Sequence, residues 1–328
     1  MKLLFIGGTG NISTWCSLRA LEAGHELWHL NRGVRSAEPG LEKVKTLKAD
    51  LWNRESYFKA ITGLHFDCVI NFMVFSPEQA QQEVEFWSGK TQQYIFISSA
   101  SAYQKPLKDL IITESTPLEN PFWEYSRNKI TCEQIFLKAH GQGLLPCTIV
   151  RPSHTYGTII PAALGDSAFT IPARILANKP VIIHGDGTTL WTLTHSDDFA
   201  QGLLPLVGNS TALGEAFHIT SDQCLTWNEI YQEMALQLDC KLNYVHIASD
   251  FIAERYPDAG AGLLGDKSWN ARFDNSKLKK INPDFNAKIS FRQGLSQVLK
   301  WFAQAPARQT SDPVANAMIN DLLDQYHR

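Results

Sequence analysis

The sequence predicts an α/β fold built on a doubly wound parallel sheet, and three observations carry that prediction. Short β-rich runs alternate with helix-length segments through the first half. Those runs are continuously apolar rather than strictly alternating, as strands buried on both faces are. A glycine turn follows the first of them directly, at the mouth of the first helix. At 328 residues, 44% hydrophobic and 19% charged, the chain can bury a substantial core. Thirty Lys and Arg against 33 Asp and Glu leave a net charge of -3. No global field then favours nucleic acid or an anionic membrane, and a small-molecule partner is expected.

The elements follow in order. KLLFIGG (2–8) reads as a first strand: its apolar run is too short for the core of a signal peptide, and no other run approaches the roughly 18 residues a membrane span needs. A helix is expected over 13–23, then strands in HELWHLNR and KTLKAD, a helix over 54–62 and the strand DCVINF. A helix over 77–89, the strand QYIFISS, a helix containing Tyr125 and the strand CTIVRPS complete the alternation. Residues 1–157 are thus expected to form a Rossmann-type dinucleotide-binding domain.

Residues 158–328 read as a smaller mixed region, mainly substrate-binding, whose strands around 181–220 partly return to the sheet. Its expected elements are a helix over 171–178, the strands PVIIHG and WTLTHS, a helix over 197–207 and the strand EAFHIT. Thr226 and Glu229 have capping-box spacing ahead of EIYQEMALQL. Two more helices, over 291–303 and 314–326, close the chain. The glycines between Ala259 and Gly265 predict a mobile loop. Six scattered cysteines with no CxxC pair predict reduced thiols in a cytoplasmic protein. His195, Asp197 and Asp198 stand together at a strand-to-helix turn, where Asp197 or Asp198 reads as a helix cap, and no metal is expected.

FIGGTGNIS places Gly7, Thr9 and Gly10 where backbone amides and a helix dipole can hold a pyrophosphate, with Ser13 at the place of a third glycine. The second strand ends in Asn31 and Arg32, with Arg35 nearby. A carboxylate there would repel a 2′-phosphate and a guanidinium can pair with it, so NADP is favoured, with NAD possible. Asp50 and Leu51, after the next strand, fall where an adenine would lie. In FWEYSRNK, Tyr125 and Lys129 are i and i+4 on one helix face. An ammonium held close to a phenol lowers its pKa, which predicts Lys129 as activator and Tyr125 as proton carrier. Ser98 and Ser99 close the preceding strand at the carboxyl edge of the sheet, where such folds bind ligands.

GGTGNIS, FISSASAY, YSRNK, VRPSHTYG and GDGTTLWTLTHSDDFA stand in the order found in the extended short-chain dehydrogenase/reductases, the NAD-dependent epimerase/dehydratase family, which the first 220 or so residues resemble. The resemblance implies Ser99, Tyr125 and Lys129 as the catalytic set, with Lys129 also on the nicotinamide ribose. It implies the backbone of Asn11 and Ile12 on the pyrophosphate, and Pro152, Ser153 and His154 along nicotinamide and substrate. Ala100 and Ser101 stand where family dehydratases carry acids, so dehydration is not expected. His154 and Trp191 replace an asparagine and an arginine that many nucleotide-sugar enzymes use. The substrate is expected to be a sugar or sugar-nucleotide-like alcohol or ketone, touched by Ser99, Ser101, His154 and Trp191. Trp123, Trp191, Trp227 and Trp269 otherwise read as core. Family members often pair through the Tyr/Lys helix, so a homodimer is expected; the apolar Ile130, Ile135, Phe136 and Leu137 permit it and would equally serve the core. The alternative reading is a non-catalytic dinucleotide-bound regulator, or an RNA-binding protein like the chloroplast stem-loop-binding proteins, which the chain also resembles.

Overall fold

The computed structural model describes residues 1–34, 39–165 and 168–326. Among them, β1 (Lys2–Ile6), β2 (Glu26–Asn31), β3 (Lys45–Lys48), β4 (Phe66–Asn71), β5 (Thr91–Ile97) and β6 (Cys147–Pro152) form a parallel sheet with a later strand, β10 (Ala216–Ile219). The spatial order is β10-β6-β5-β4-β1-β2-β3. The chain reverses direction of travel between β1 and β4, and the crevice of a doubly wound sheet opens there, at the carboxyl ends of the strands.

The unbroken apolar runs are explained by two cores, one on each face. Leu3 and Phe5 of β1 join Cys16 and Ala20 of α1 (Ser13–Glu22). Leu4 and Ile6 point the other way, into a cluster with Tyr57, Trp87 and Phe136. Those three come from α2 (Arg54–Ile61), α3 (Pro77–Trp87) and α4 (Glu124–Gly141). Side chains in a strand alternate between faces, so a strand covered on both sides must be apolar throughout. Ser76 starts α3 with a capping box to Gln79 and Pro77 at its first position, a combination that satisfies otherwise unpaired amides.

The second half packs around a third core containing Tyr156, Trp191, Trp227 and Phe291. It comprises β7 (His154–Tyr156), α5 (Thr170–Leu176), β8 (Val181–His184), β9 (Leu190–His195) and α6 (Ser196–Leu203). Beyond β10 come β11 (Cys224–Thr226), α7 (Trp227–Gln237), β12 (Tyr244–Ile247), α8 (Ser249–Arg255) and α9 (Pro257–Gly262). The last helices are α10 (Ser276–Ile281), α11 (Phe291–Ala303) and α12 (Pro313–Tyr326). Of the strands expected to return to the large sheet, only β10 does so. β8 pairs with β12, and β9 lies between β11 and β7.

Two local readings need correction. The stretch expected to be a mobile loop, Ala259 to Gly265, is helical: α9 runs directly into a π-helical turn at Leu263–Lys267. Close packing explains its glycines, since a Cβ at Gly265 would fall 2.6 Å from Trp123 Cβ and one at Gly260 2.2 Å from Ala253 Cα. The aspartates at the start of α6 are not its caps. His195 caps it, accepting from the Asp197 amide at 3.2 Å. Asp197 instead binds Arg19 of α1 through two bonds of 2.6 and 2.7 Å, and Asp198 accepts the amides of Lys288 and Ile289. Trp191 and Trp227 are core, whereas Trp123 and Trp269 are half-buried. Phe136 is wholly internal, with Ile135 and Leu137 half-buried against the same cluster. No helix among the described residues is long and apolar enough to cross a membrane.

Candidate active site

The glycine turn is closed by a serine. Gly7 has φ +85°, a left-handed conformation, and a Cβ on it would strike Met73, so glycine is required there. Ser13 donates to the Gly7 carbonyl at 2.6 Å and accepts from the Gly10 amide at 2.8 Å. The serine at the third-glycine position thus staples the loop, which leaves Asn11 and Ile12 at the mouth of α1. The Asn11 side chain donates to Thr155 O at 3.1 Å and accepts from the Thr158 amide at 3.0 Å, fastening the turn to the second half.

Three cavities run on from this loop. The first, about 230 Å³, is lined by Gly7, Thr9, Gly10, Asn31, Arg32, Asp50 and Leu51. Arg32 is exposed and forms no ion pair among the described residues; Arg35 lies outside them. Asn31 accepts from the Gly33 amide. Asp50 does not cap α2, since Asn53 does. Its carboxylate accepts from the Trp52 amide. The second cavity, about 380 Å³, shares Gly7 and Gly10 and continues past Asn11 and Ile12 to Ser99, Tyr125, Lys129, Pro152, Ser153 and His154. The third, about 210 Å³, begins at Ser99, Tyr125, Pro152, Ser153 and His154 and extends to Ser101 and Trp191. The second and third meet at the Tyr125 and Ser99 side chains.

At that junction the hydroxyls form a chain. Ser126 donates to Ser101 at 2.8 Å, and Ser101 lies 2.9 Å from Ser99. Ser99 and Ser101 share one hydrogen bond in which either hydroxyl can donate, and Ser99 lies near enough to Tyr125 to favour its ionised form. Ser99 also accepts the Ser101 amide at 3.2 Å, which fixes its orientation. Ser126 was not read from the sequence, although it directly follows Tyr125.

The lowering of Tyr125 predicted from its lysine neighbour is outweighed here by burial. Burial pushes Tyr125 up to about 12, with the Ser99 hydrogen bond only partly opposing it. Lys129 is buried and donates to the carbonyls of Val74 at 2.7 Å and Ile97 at 2.9 Å. Its ammonium lies 5.7 Å from the Tyr125 ring centre, under the ring and engaged elsewhere. Burial also brings Lys129 down to about 7, against the opposing influence of Cys132 and Glu133. Helical spacing put the two side chains on one face but did not determine what the ammonium would bind. Tyr125 at neutral pH is therefore a phenol.

Behind the site, Glu133, one turn along α4 from Lys129, is bound by Arg151 and accepts from Ser98 at 2.5 Å. This buried pair anchors the end of β5 that carries Ser99. His154 Nδ1 accepts from Trp191 Nε1 at 3.3 Å. Burial, and secondarily Lys267, push His154 down to about 3, so the ring is neutral and its other nitrogen carries the proton. Lys105, Asp266 and Lys267 also line the third cavity. They escaped sequence reading because they lie far apart in the chain and follow no motif.

A doubly wound sheet with a glycine turn after β1, faced across the crevice by serine, tyrosine and lysine, is the architecture of the extended short-chain dehydrogenase/reductases. Residues 3–219 match the NAD dependent epimerase/dehydratase family, and the chain belongs to it. Among curated proteins, it is 24% identical over 246 residues to the chloroplast stem-loop binding protein of 41 kDa b of Arabidopsis thaliana, covering 71% of this chain and 62% of that protein. It is 29% identical over 132 residues to an uncharacterized UDP-glucose epimerase of Bacillus subtilis strain 168, covering 39% of each. The match thus spans less than two thirds of either relative. Among solved structures, an epimerase from Methanothermobacter thermautotrophicus superposes with a TM-score of 0.76 at 18% identity, covering 92% of both chains. A UDP-glucuronic acid 4-epimerase from Bacillus cereus, in complex with UDP-glucuronic acid and NAD, gives 0.74 at 18% identity, covering 93% of this chain and 99% of that one. At such identities the shared property is the fold.

Proposed function

We propose that the protein is an NAD(P)-dependent epimerase or oxidoreductase acting on a secondary alcohol or ketone of a carbohydrate-like substrate. The observation that carries this reading is the meeting of two cavities at Ser99 and Tyr125: one runs back to the glycine turn, the other is a separate chamber of substrate size. The residues fit a dinucleotide. The loop from Gly7 to Ile12 offers amides and a helix mouth for the pyrophosphate, Asp50 is free of helix capping for the adenine, and Lys129 lies beneath the reacting end. Arg32, with no acid at the end of β2, favours NADP.

When bound, the nicotinamide ring supplies the donor or acceptor of hydride at the substrate carbon. The protein's own part is the proton. Tyr125, held as a phenol, gives its proton to a carbonyl oxygen as that oxygen gains negative charge. Ser99 donates to the resulting phenolate, with Ser101 and Ser126 hydrogen-bonded behind it. Ala100 and Ser101 provide no acid for elimination, which supports redox chemistry over dehydration. The NADP-type residues at the end of β2 support reduction as the favoured single transfer. Hydride return to the opposite face of a ketone would instead give epimerisation. α4 is the surface on which we expect a homodimer to form.

Denaturing the purified protein and identifying the released nucleotide, then screening sugars and sugar nucleotides for change in the reduced cofactor's absorbance, tests this reading. A nicotinamide dinucleotide and at least one turned-over alcohol or ketone are expected. Release of NAD alone would remove the Arg32 argument. Absence of any dinucleotide binding would remove the enzyme. A second reading rests on the stem-loop binding relative: a gel shift of structured RNA that weakens with salt would favour it.

A further inference from the structure

Lys105 and Lys267 reach the substrate chamber from opposite ends of the sequence. Lys105 follows β5 and its side chain is 2% exposed. Lys267 ends the π-helical turn. Between them stands Asp266, with Lys105 Nζ 3.9 Å from its nearer oxygen, beyond hydrogen-bond range. Neither ammonium makes a hydrogen bond to protein among the described residues. Lys267 lies 5.7 Å from the centre of the Trp123 ring and feels the Asp266 charge.

Two cations and one anion therefore share a chamber walled by Trp123 and Trp191. Burial lowers both lysines and raises Asp266, and in each case the neighbouring opposite charge offsets burial only in part. Internal pairing leaves one positive charge uncompensated, with ammonium donors unused in a poorly hydrated place, where an incoming anion interacts most strongly. The proton-bearing nitrogen of His154 adds a neutral donor to the same wall.

Resting on the reading of this chamber as the substrate site, we propose that Lys105 and Lys267 form an anion clamp, and that the substrate carries a carboxylate or phosphate close to the oxygen served by Tyr125. Asp266 offsets one of the two positive charges and so sets the net charge of the clamp at one.

The test uses full-length protein saturated with NADP, so that the pyrophosphate site is filled. Inorganic phosphate and, separately, acetate are titrated while the fluorescence of Trp123 and Trp191 is followed, with acetamide as the neutral isostere. Saturable binding of at least one anion and none of acetamide is expected, and the anion that binds tells phosphate from carboxylate. Lys105→Met and Lys267→Met each weaken that binding about ten-fold or more, with the NADP dissociation constant unchanged within about two-fold. Asp266→Asn acts in the opposite sense and tightens it several-fold, which keeps the test decisive should a lysine variant fail to fold. Equal binding of anions and acetamide, or lysine variants that bind NADP and anions as the parent does, overturns the clamp. If the parent binds NAD but not NADP, the titrations are run with NAD and only the Arg32 argument falls; failure to bind either dinucleotide overturns the dinucleotide reading instead, so the two failures are distinct.

Discussion

Burial raises Tyr125 further above neutrality, and removing its hydroxyl separates its chemical role from its packing. Tyr125→Phe keeps the ring beside Trp123, whose centre is 4.8 Å away, and keeps Lys129 on its two carbonyls. Single-turnover rates should fall by about 10²- to 10⁴-fold, the usual contribution of a positioned acid or base, while fluorescence titration finds the dinucleotide affinity unchanged. Undiminished turnover would eliminate Tyr125 as the proton carrier. Ser99, Tyr125 and Lys129 were legible in the sequence because each occupies a fixed place relative to a strand end or a helical turn. Ser126, Lys105, Asp266 and Lys267 were not, because only the folded chain brings their side chains to the same cavity. The direction of the Tyr125 shift was misread for a related reason: spacing specifies neighbours, and the carbonyls of Val74 and Ile97 that occupy Lys129 come from other elements.

The π-helical turn after α9 is the element on which the substrate chamber depends. Asn120 donates to Gly265 O at 2.7 Å and to Ser101 O at 2.9 Å, so one side chain ties this turn to the hydroxyl chain. Its glycines suggested a loop because glycine disfavours helix by about 1 kcal/mol per residue in the absence of tertiary packing. Here the missing Cβ atoms let the turn lie against Trp123. Gly265→Ala should cost about 1 to 3 kcal/mol as an overpacked contact, lowering the melting temperature and weakening anion binding in the chamber. Dinucleotide affinity should not change, since the glycine turn after β1 lies elsewhere. Calorimetric melting and the two titrations check this; a variant that melts and binds like the parent would show that the contact is easily relaxed. The first-half strands were legible because apolar runs flanked by helices have few other solutions. The partners of β8 and β9 were not, because pairing with β12 and β11 joins residues that no local pattern connects.

At the scale of the whole molecule, the two halves fold as one body through the sheet itself, where β10 pairs with β6, and through the Asn11 and Arg19 links to residues beyond 154. Its stability carries a pH signature from the floor of the dinucleotide half. Glu83 on α3 is buried and accepts from Tyr57 at 2.9 Å, Tyr94 at 2.9 Å and Trp87 at 3.2 Å. Burial raises it from 4.5 to about 7, more than those donors lower it. The folded state therefore holds a proton that the unfolded state has released between about pH 4.5 and 7. The corresponding stabilisation is full below 4.5 and disappears as pH rises through 7, a change of about 3 kcal/mol. Glu83→Gln retains an uncharged polar group and cannot titrate. Urea unfolding of both proteins at pH 5 and pH 8 should thus show the variant gaining about 2 to 3 kcal/mol relative to the parent at the higher pH. All other titrating groups are common to the two proteins and cancel in the comparison. A difference that stays constant between the two pH values would mean that Glu83 is ionised throughout, its charge accommodated by the two tyrosines and the indole without loss of stability.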